Sequence, residues 1–309
     1  MQALLQVILP VFLVVAAGYG AAWRNWMTED AVDGLMKFAQ SFAIPMLLFL
    51  ALMRLDLGQA FDWRLLVSFY GGAISGFVAG LLGARFLFGR DWEDAVAVGF
   101  VCLFSNSMLL GVPITERAYG PEALAPNYAI ISIHAPLCYL IGITAMEGVR
   151  ARGAGIGRTA FKALQGMWTN PLVIGIGLGA IVNLGGITLP TVVVDAVELI
   201  SRAGLPAALF GLGGVLFRYR PEGDLRLIAY ATLLSLALHP TITWGLGRFF
   251  ALEHGPFRSA VLTAGMAPGV NAYLFANMYG RAKRVAASTV LLATGLCVLT
   301  AWGWMTVLG

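Results

Sequence analysis

Two asparagines carry most of the chemistry this sequence offers. Asn106 stands in Phe104-Ser-Asn-Ser-Met-Leu-Leu-Gly-Val-Pro-Ile114, and Asn271 in Met266-Ala-Pro-Gly-Val-Asn-Ala-Tyr-Leu-Phe-Ala-Asn277, each a polar interruption of an apolar stretch. A side-chain amide donates two hydrogens without carrying charge. A helix that unwinds inside a membrane adds backbone N–H groups and the positive end of its dipole. Together they suit an anion such as a carboxylate, where a buried Lys or Arg would be costly. Ser105, Ser107, Gly111 and Pro113 in the first stretch, and Pro268 and Gly269 in the second, complete the candidate substrate site. Pro113 removes a backbone donor and Gly111 weakens the helix further, so a break is expected there, and Pro268-Gly269 does the same in the second stretch.

His134, in Ser132-Ile-His-Ala-Pro136, and His239, before Pro240, both fall in apolar stretches. Imidazole titrates near neutrality, which makes them candidates for proton coupling. A neutral ring bonding a backbone group freed by the adjacent proline is the stronger reading. Arg202 lies four residues after Glu198 and is expected to pair with it on one helix face; attracting an entering anion at a vestibule is its alternative role. No His-Glu-x-x-His and no Gly-x-Ser-x-Gly occurs, and Cys102, Cys138 and Cys297 lack any paired spacing. The chain therefore reads as no enzyme, with no cofactor, no metal site and no disulfide framework.

The elements that position these residues follow from composition. Of 309 residues, 59% are hydrophobic and 12% charged, against roughly 25% charged in soluble domains. A span needs about 20 apolar residues, which leaves room for about ten passes and no soluble domain. Apolar runs place them near Gln2 to Trp23, Asp30 to Met53, Trp63 to Phe88, Asp94 to Ala118, Ala125 to Val149, Ala163 to Leu184, Thr191 to Phe217, Asp224 to Leu252, Pro256 to Tyr279 and Arg281 to Val307. The 38 glycines predict close helix packing, with Gly72, Gly76 and Gly80, and Gly175, Gly177 and Gly179, as contact rows. The first stretch has no basic flank or cleavage site and reads as a retained helix.

Thirteen Lys and Arg fall in odd-numbered connections, among them Arg90, Arg150, Arg152, Arg158, Lys162 and Arg281, against five in even-numbered ones, Arg54, Arg64, Arg117, Arg248 and Arg258. Basic connections stay in the cytoplasm, which puts both termini outside. Pro10 and Pro171 lie 161 residues apart, as do Pro45 and Pro206. Asp62-Trp-Arg-Leu65 and Asp224-Leu-Arg-Leu227 match at a similar offset, as do Asn106 and Asn271. Five spans per half is odd, so the halves must be inverted, with residues 1–149 and 163–309 as the repeats and 150–162 as a basic cytoplasmic connection. Broken spans at matching places in two halves point to a transport site near the midplane and to alternating access. A channel or a membrane-embedded enzyme fits this pattern least.

At Ser105-Asn106 to Gly111-x-Pro113, Asn170-Pro171, Pro268 to Asn271 and the basic central connection, the chain resembles the auxin efflux carrier family, the plant PIN exporters and bacterial malonate and malate permeases. The resemblance covers nearly the whole chain. It implies a scaffold of spans 1, 2, 6 and 7, through which a homodimer would form, and an elevator-like mobile domain of spans 3 to 5 and 8 to 10 with crossing broken helices 4 and 9. It implies a carboxylate held beside that crossing by Asn106 and Asn271. The short connection from Val149 to Lys162 favours a bacterial inner-membrane carrier for a malonate- or malate-like anion. Export of aromatic acids such as auxin, or sodium-coupled symport, are the alternatives. Lipid and a small organic anion are the expected partners, and nucleic acid is not.

Overall fold

The protein is described by a computed structural model covering residues 4–56, 58, 61–150, 170–219 and 222–309. Among these residues the chain is all helical. In order come α1 (Leu9–Trp23), α2 (Glu29–Phe38), α3 (Ile44–Arg54), α4 (Trp63–Phe86), α5 (Trp92–Leu103), α6 (Val112–Tyr119), α7 (Ala125–Arg150), α8 (Pro171–Leu184), α9 (Thr191–Ser201), α10 (Gly204–Phe217), α11 (Leu225–Leu233), α12 (His239–Phe249), α13 (His254–Ala264), α14 (Val270–Tyr279) and α15 (Lys283–Leu308). Seven continuous helical stretches among the described residues are long and apolar enough to cross a membrane: Leu5–Trp23, Glu29–Arg54, Trp63–Phe86, Pro121–Arg150, Thr191–Phe217, Leu225–Phe249 and Lys283–Leu308. The fourth and ninth expected spans are absent from that set because each is cut into two short helices. The sixth contributes only Pro171–Leu184; its first part and residues 151–162 of the basic connection lie outside the described residues.

Four prolines are absorbed without breaking the chain. Leu4–Ile8, Ala39–Ala43, Ser107–Gly111 and Leu234–Leu238 are π-helical turns, and Pro10, Pro45, Pro113 and Pro240 each follow two residues later. A proline lacks its N–H and presses on the carbonyl one turn back. Widening that turn by one residue relieves the contact. This corrects the expected position of the first break. Pro113 is absorbed by the π turn Ser107–Gly111 that runs straight into α6, and the chain breaks instead at Phe104–Asn106. There Ser105, Asn106 and Ser107 offer the backbone side-chain hydrogen bonds that compete with the helix.

Contacts divide the chain into two units. One gathers Leu4–Ile8, α4 to α7 and α11 to α15; the other gathers α1 to α3 and α8 to α10. In the second, Gly18 meets the Phe210 backbone and Gly213 the Val15 carbonyl, so α1 and α10 approach through reciprocal glycines that leave no room for a side chain. Gly175 and Gly179 likewise face Pro45 and Phe49, whereas Gly177 faces open space and makes no helix contact. In the first unit Gly76 lies against the Cys102 carbonyl, where an added Cβ would stand 2.7 Å away. Polar ends tie this unit together. Glu93 accepts from Arg150 at 2.9 Å and from Arg281 at 2.8 Å, while Arg150 also donates to the Tyr279 carbonyl at 3.0 Å. The start of α5 is thereby fastened to the end of α14. Phe100 and Phe275 stack between the same two helices with centroids 3.9 Å apart and planes at 11°.

Candidate functional site

The two breaks meet. The Asn106 N–H donates to the Ala267 carbonyl at 2.8 Å, and the Gly269 N–H donates to the Phe104 carbonyl at 3.0 Å. They form a single antiparallel bridge between Ser105 and Pro268. Breaking a membrane helix strands its carbonyls and N–H groups, each costing several kcal/mol in hydrocarbon. Here each break satisfies part of the other. Pro268 occupies the bridge position that exchanges no hydrogen bonds with its partner, so its missing N–H is not wanted. Gly269 is extended, and a methyl on it would stand 3.6 Å from the Asn106 Cα, an ordinary contact. Gly111 is similarly tolerant, with Thr263 3.4 Å from such a methyl.

Both asparagines have their oxygens occupied. The Asn106 Oδ1 accepts from the Leu109 N–H at 3.2 Å, capping the helix that begins at Ser107. The Asn271 Oδ1, on the second residue of α14, accepts from the Tyr139 hydroxyl at 3.3 Å. A backbone N–H can only donate, so it fixes which way the Asn106 amide faces. The consequence is that the Asn106 NH2 has no hydrogen bond among the described residues, and with the Tyr139 hydroxyl donating to its oxygen the Asn271 NH2 has none either. Asn106 is buried and Asn271 half-buried. The uncapped first turn of α14 adds N–H groups beside Asn271. Ser105 and Ser107 share a hydrogen bond between their hydroxyls at 2.8 Å, so the first break is internally braced.

His134 is buried and donates from Nε2 to the Ser105 carbonyl at 3.2 Å, which makes Nδ1 an acceptor facing the Cys138 thiol at 3.7 Å. His239 donates to the Phe69 carbonyl at 3.2 Å. Phe69 lies between the imidazoles, 5.6 Å and 5.1 Å from their centroids. Each ring thus bonds a backbone carbonyl, though not one freed by its own proline. Pro240 frees the Leu236 carbonyl, and the Trp304 indole donates to that at 3.3 Å. Arg202 belongs to the other unit, where it pairs with Glu198 at 3.5 Å while Glu198 also holds Arg54.

The sequence alone did not single out Tyr139, which reads as one more aromatic in an apolar run. Nor did it single out Asn127, whose Nδ2 donates to Thr263 at 2.7 Å and Thr115 at 3.3 Å. An isolated Asn beside Pro126 was the one available signal.

Comparison with known proteins decides the family. The sequence model described as "Membrane transport protein" matches residues 3–156 and 156–305. The chain belongs to this family, that of the auxin efflux carriers. It is 24% identical over 302 residues to the uncharacterized transporter YfdV of Escherichia coli K12, covering 96% of this chain and 95% of that one. It is 26% identical over 312 residues to an uncharacterized transporter of Methanothermobacter thermautotrophicus, covering 98% of each. Auxin efflux carrier component 5 of Arabidopsis thaliana is 20% identical over 339 residues, at 96% and 95% coverage. Membership of this transporter family fits the lack of catalytic motifs, and the several apolar helices make it a multi-pass membrane protein.

Proposed function

We propose that the protein is a secondary carrier of small organic carboxylates, of the malonate or malate class, working by elevator-like alternating access. One observation carries this reading: two unpartnered amide NH2 groups, each held in place by a donor to its oxygen, stand at the meeting of two helix breaks. Such a site donates to a carboxylate without a buried cation to desolvate. The unit holding the crossing is the moving part, and the unit of α1 to α3 and α8 to α10 is the scaffold. In this reading the two broken helices and α8 complete ten passes in two inverted halves, with the basic connections cytoplasmic and both termini outside. The membrane is the bacterial inner membrane.

An aromatic carboxylate is the second reading, favoured by the Phe104 and Tyr139 rings, 6.0 Å apart beside the asparagines. Reconstituted protein tests both. Uptake of labelled malonate should saturate and show counterflow, and excess unlabelled malate should compete where an indole- or phenylacetic acid does not. Competition by the aromatic acids alone selects the second reading. Flux without exchange, or a chemically altered product, overturns the carrier.

A further inference from the structure

A cavity of about 350 Å³ opens at the end of the first unit where α5, α11 and α15 begin. Its polar rim stands apart from the helix breaks, since Asp94 precedes Leu103 by nine helical residues, about 14 Å at 1.5 Å each, while the floor at Val98 lies about 8 Å from Leu103 along the same helix. Arg90, Lys283 and Arg284 line it together with Asp94 and Asp224, over an apolar floor that includes Val98 and Val285. Both carboxylates are already engaged. Asp224 accepts from Arg90 at 2.9 Å and caps α11 through the N–H groups of Arg226 and Leu227, and Asp94 accepts from the Ala282 N–H at 3.2 Å.

The cations are less satisfied. Lys283 makes no ion pair among the described residues, Arg284 reaches Glu222 only at 3.7 Å, and the Arg90 Nε is buried without a partner. Among the described residues the one carboxylate hydrogen-bonded to the backbone at the start of α15 is Asp94, through the Ala282 N–H. The first turn of α15 has no side-chain cap and no acidic residue, and carries Lys283 and Arg284 at the positive end of a 26-residue helix. By contrast α5 and α11, which begin beside it, are capped by Asp91 and Asp224.

We propose that this cavity binds a phosphate-bearing anion, held by Arg90, Lys283 and Arg284 and by the free N–H groups opening α15. A phosphate group spreads its charge over several acceptor oxygens and can meet cations and backbone donors at once. The same group reaches the site as a free phosphate or as the headgroup of an anionic lipid, whose glycerol could rest on the apolar floor.

The test uses the intact protein and the Lys283→Gln/Arg284→Gln double variant, both changes falling on exposed side chains, with Arg24→Gln as a charge control in the other unit. Thermal unfolding is followed in detergent with added inorganic phosphate at constant ionic strength. It is followed again in phosphatidylcholine nanodiscs with and without phosphatidylglycerol. The parent and Arg24→Gln should be stabilised, and the double variant should bind about thirtyfold more weakly. Stabilisation by phosphate in detergent assigns a soluble anion; stabilisation by phosphatidylglycerol alone assigns a lipid. No stabilisation in either arm, or equal stabilisation of the double variant, overturns the proposal. Because the cavity shares no residue with the crossing, Asn106→Ala should leave this response intact even if it abolishes transport.

Discussion

Replacing Asn106 by Asp separates two jobs that one amide performs. Its oxygen caps the helix opening at Ser107 by accepting from Leu109, and its nitrogen is the unpartnered donor. Asp serves as an N-cap as well as Asn, so the variant should keep the cap and lose stability only through desolvation of its buried carboxylate, a loss that acid relieves as the carboxyl takes up a proton. Ala removes both atoms and should lose roughly 0.5 to 2 kcal/mol of stability through the cap alone. Binding should rank differently. A hydrogen bond to a charged group contributes about 1.5 to 3 kcal/mol, so losing the donor should weaken carboxylate binding roughly ten- to a hundredfold in Asn106→Ala. Asn106→Asp should bind worse still at neutral pH, because it sets a carboxylate against the anion, and should recover partly in acid as the carboxyl regains a proton. Paired calorimetry and thermal unfolding on the purified proteins provide the comparison. An Asp variant that binds malonate or any other organic acid like the parent would refute the assignment of Nδ2 as donor.

Tyr139→Phe frees the Asn271 amide to rotate and should weaken binding several-fold, but should add little to Asn271→Ala, a non-additivity that a double-mutant cycle detects. Gly213→Ala, facing the Val15 carbonyl, should destabilise by about 1 to 3 kcal/mol, while Gly177→Ala in open space should be neutral or slightly stabilising; thermal unfolding distinguishes them. Asp224 has its carboxyl held below the ordinary range by the Leu227 N–H, then by Arg90 and the Arg226 N–H. That stability is fully present above about pH 4 and is lost as pH falls through the lowered value, so Asp224→Asn should flatten the acid limb of the unfolding profile. In intact cells an impermeant thiol reagent should label a cysteine placed at exposed Glu122 and spare one at exposed Arg226; the native cysteines are all buried and give no background.

Sequence reading located the interruptions because polar residues and Pro-Gly pairs stand out in apolar runs, and it named both asparagines for that reason. It misplaced the first break by taking Pro113 as the cause. Local composition does not reveal that a π turn can absorb a proline, a solution used at Pro10, Pro45, Pro113 and Pro240 alike. Contacts between residues far apart in the chain were equally invisible. Nothing near Tyr139 says that its hydroxyl meets Asn271, 132 residues on, and nothing near His134 says that it bonds the Ser105 carbonyl. The i,i+4 pair Glu198 and Arg202 was legible because helix geometry alone makes it, whereas the Arg54 contact to Glu198 needed the tertiary fold.

The backbone bridge between Ser105 and Pro268, with both asparagines and Tyr139, lies inside a single unit. A carrier whose binding groups travel together offers the cargo the same chemistry at either face of the membrane. In the proposed elevator its intrinsic dissociation constant is then equal on the two sides, so cargo binding leaves the carrier's preference for one face or the other unchanged, and with no second ligand coupled the cycle only equilibrates the anion. Net direction comes from the anion's own concentration and electrical gradient, so a reconstituted preparation should run backwards when that gradient is reversed.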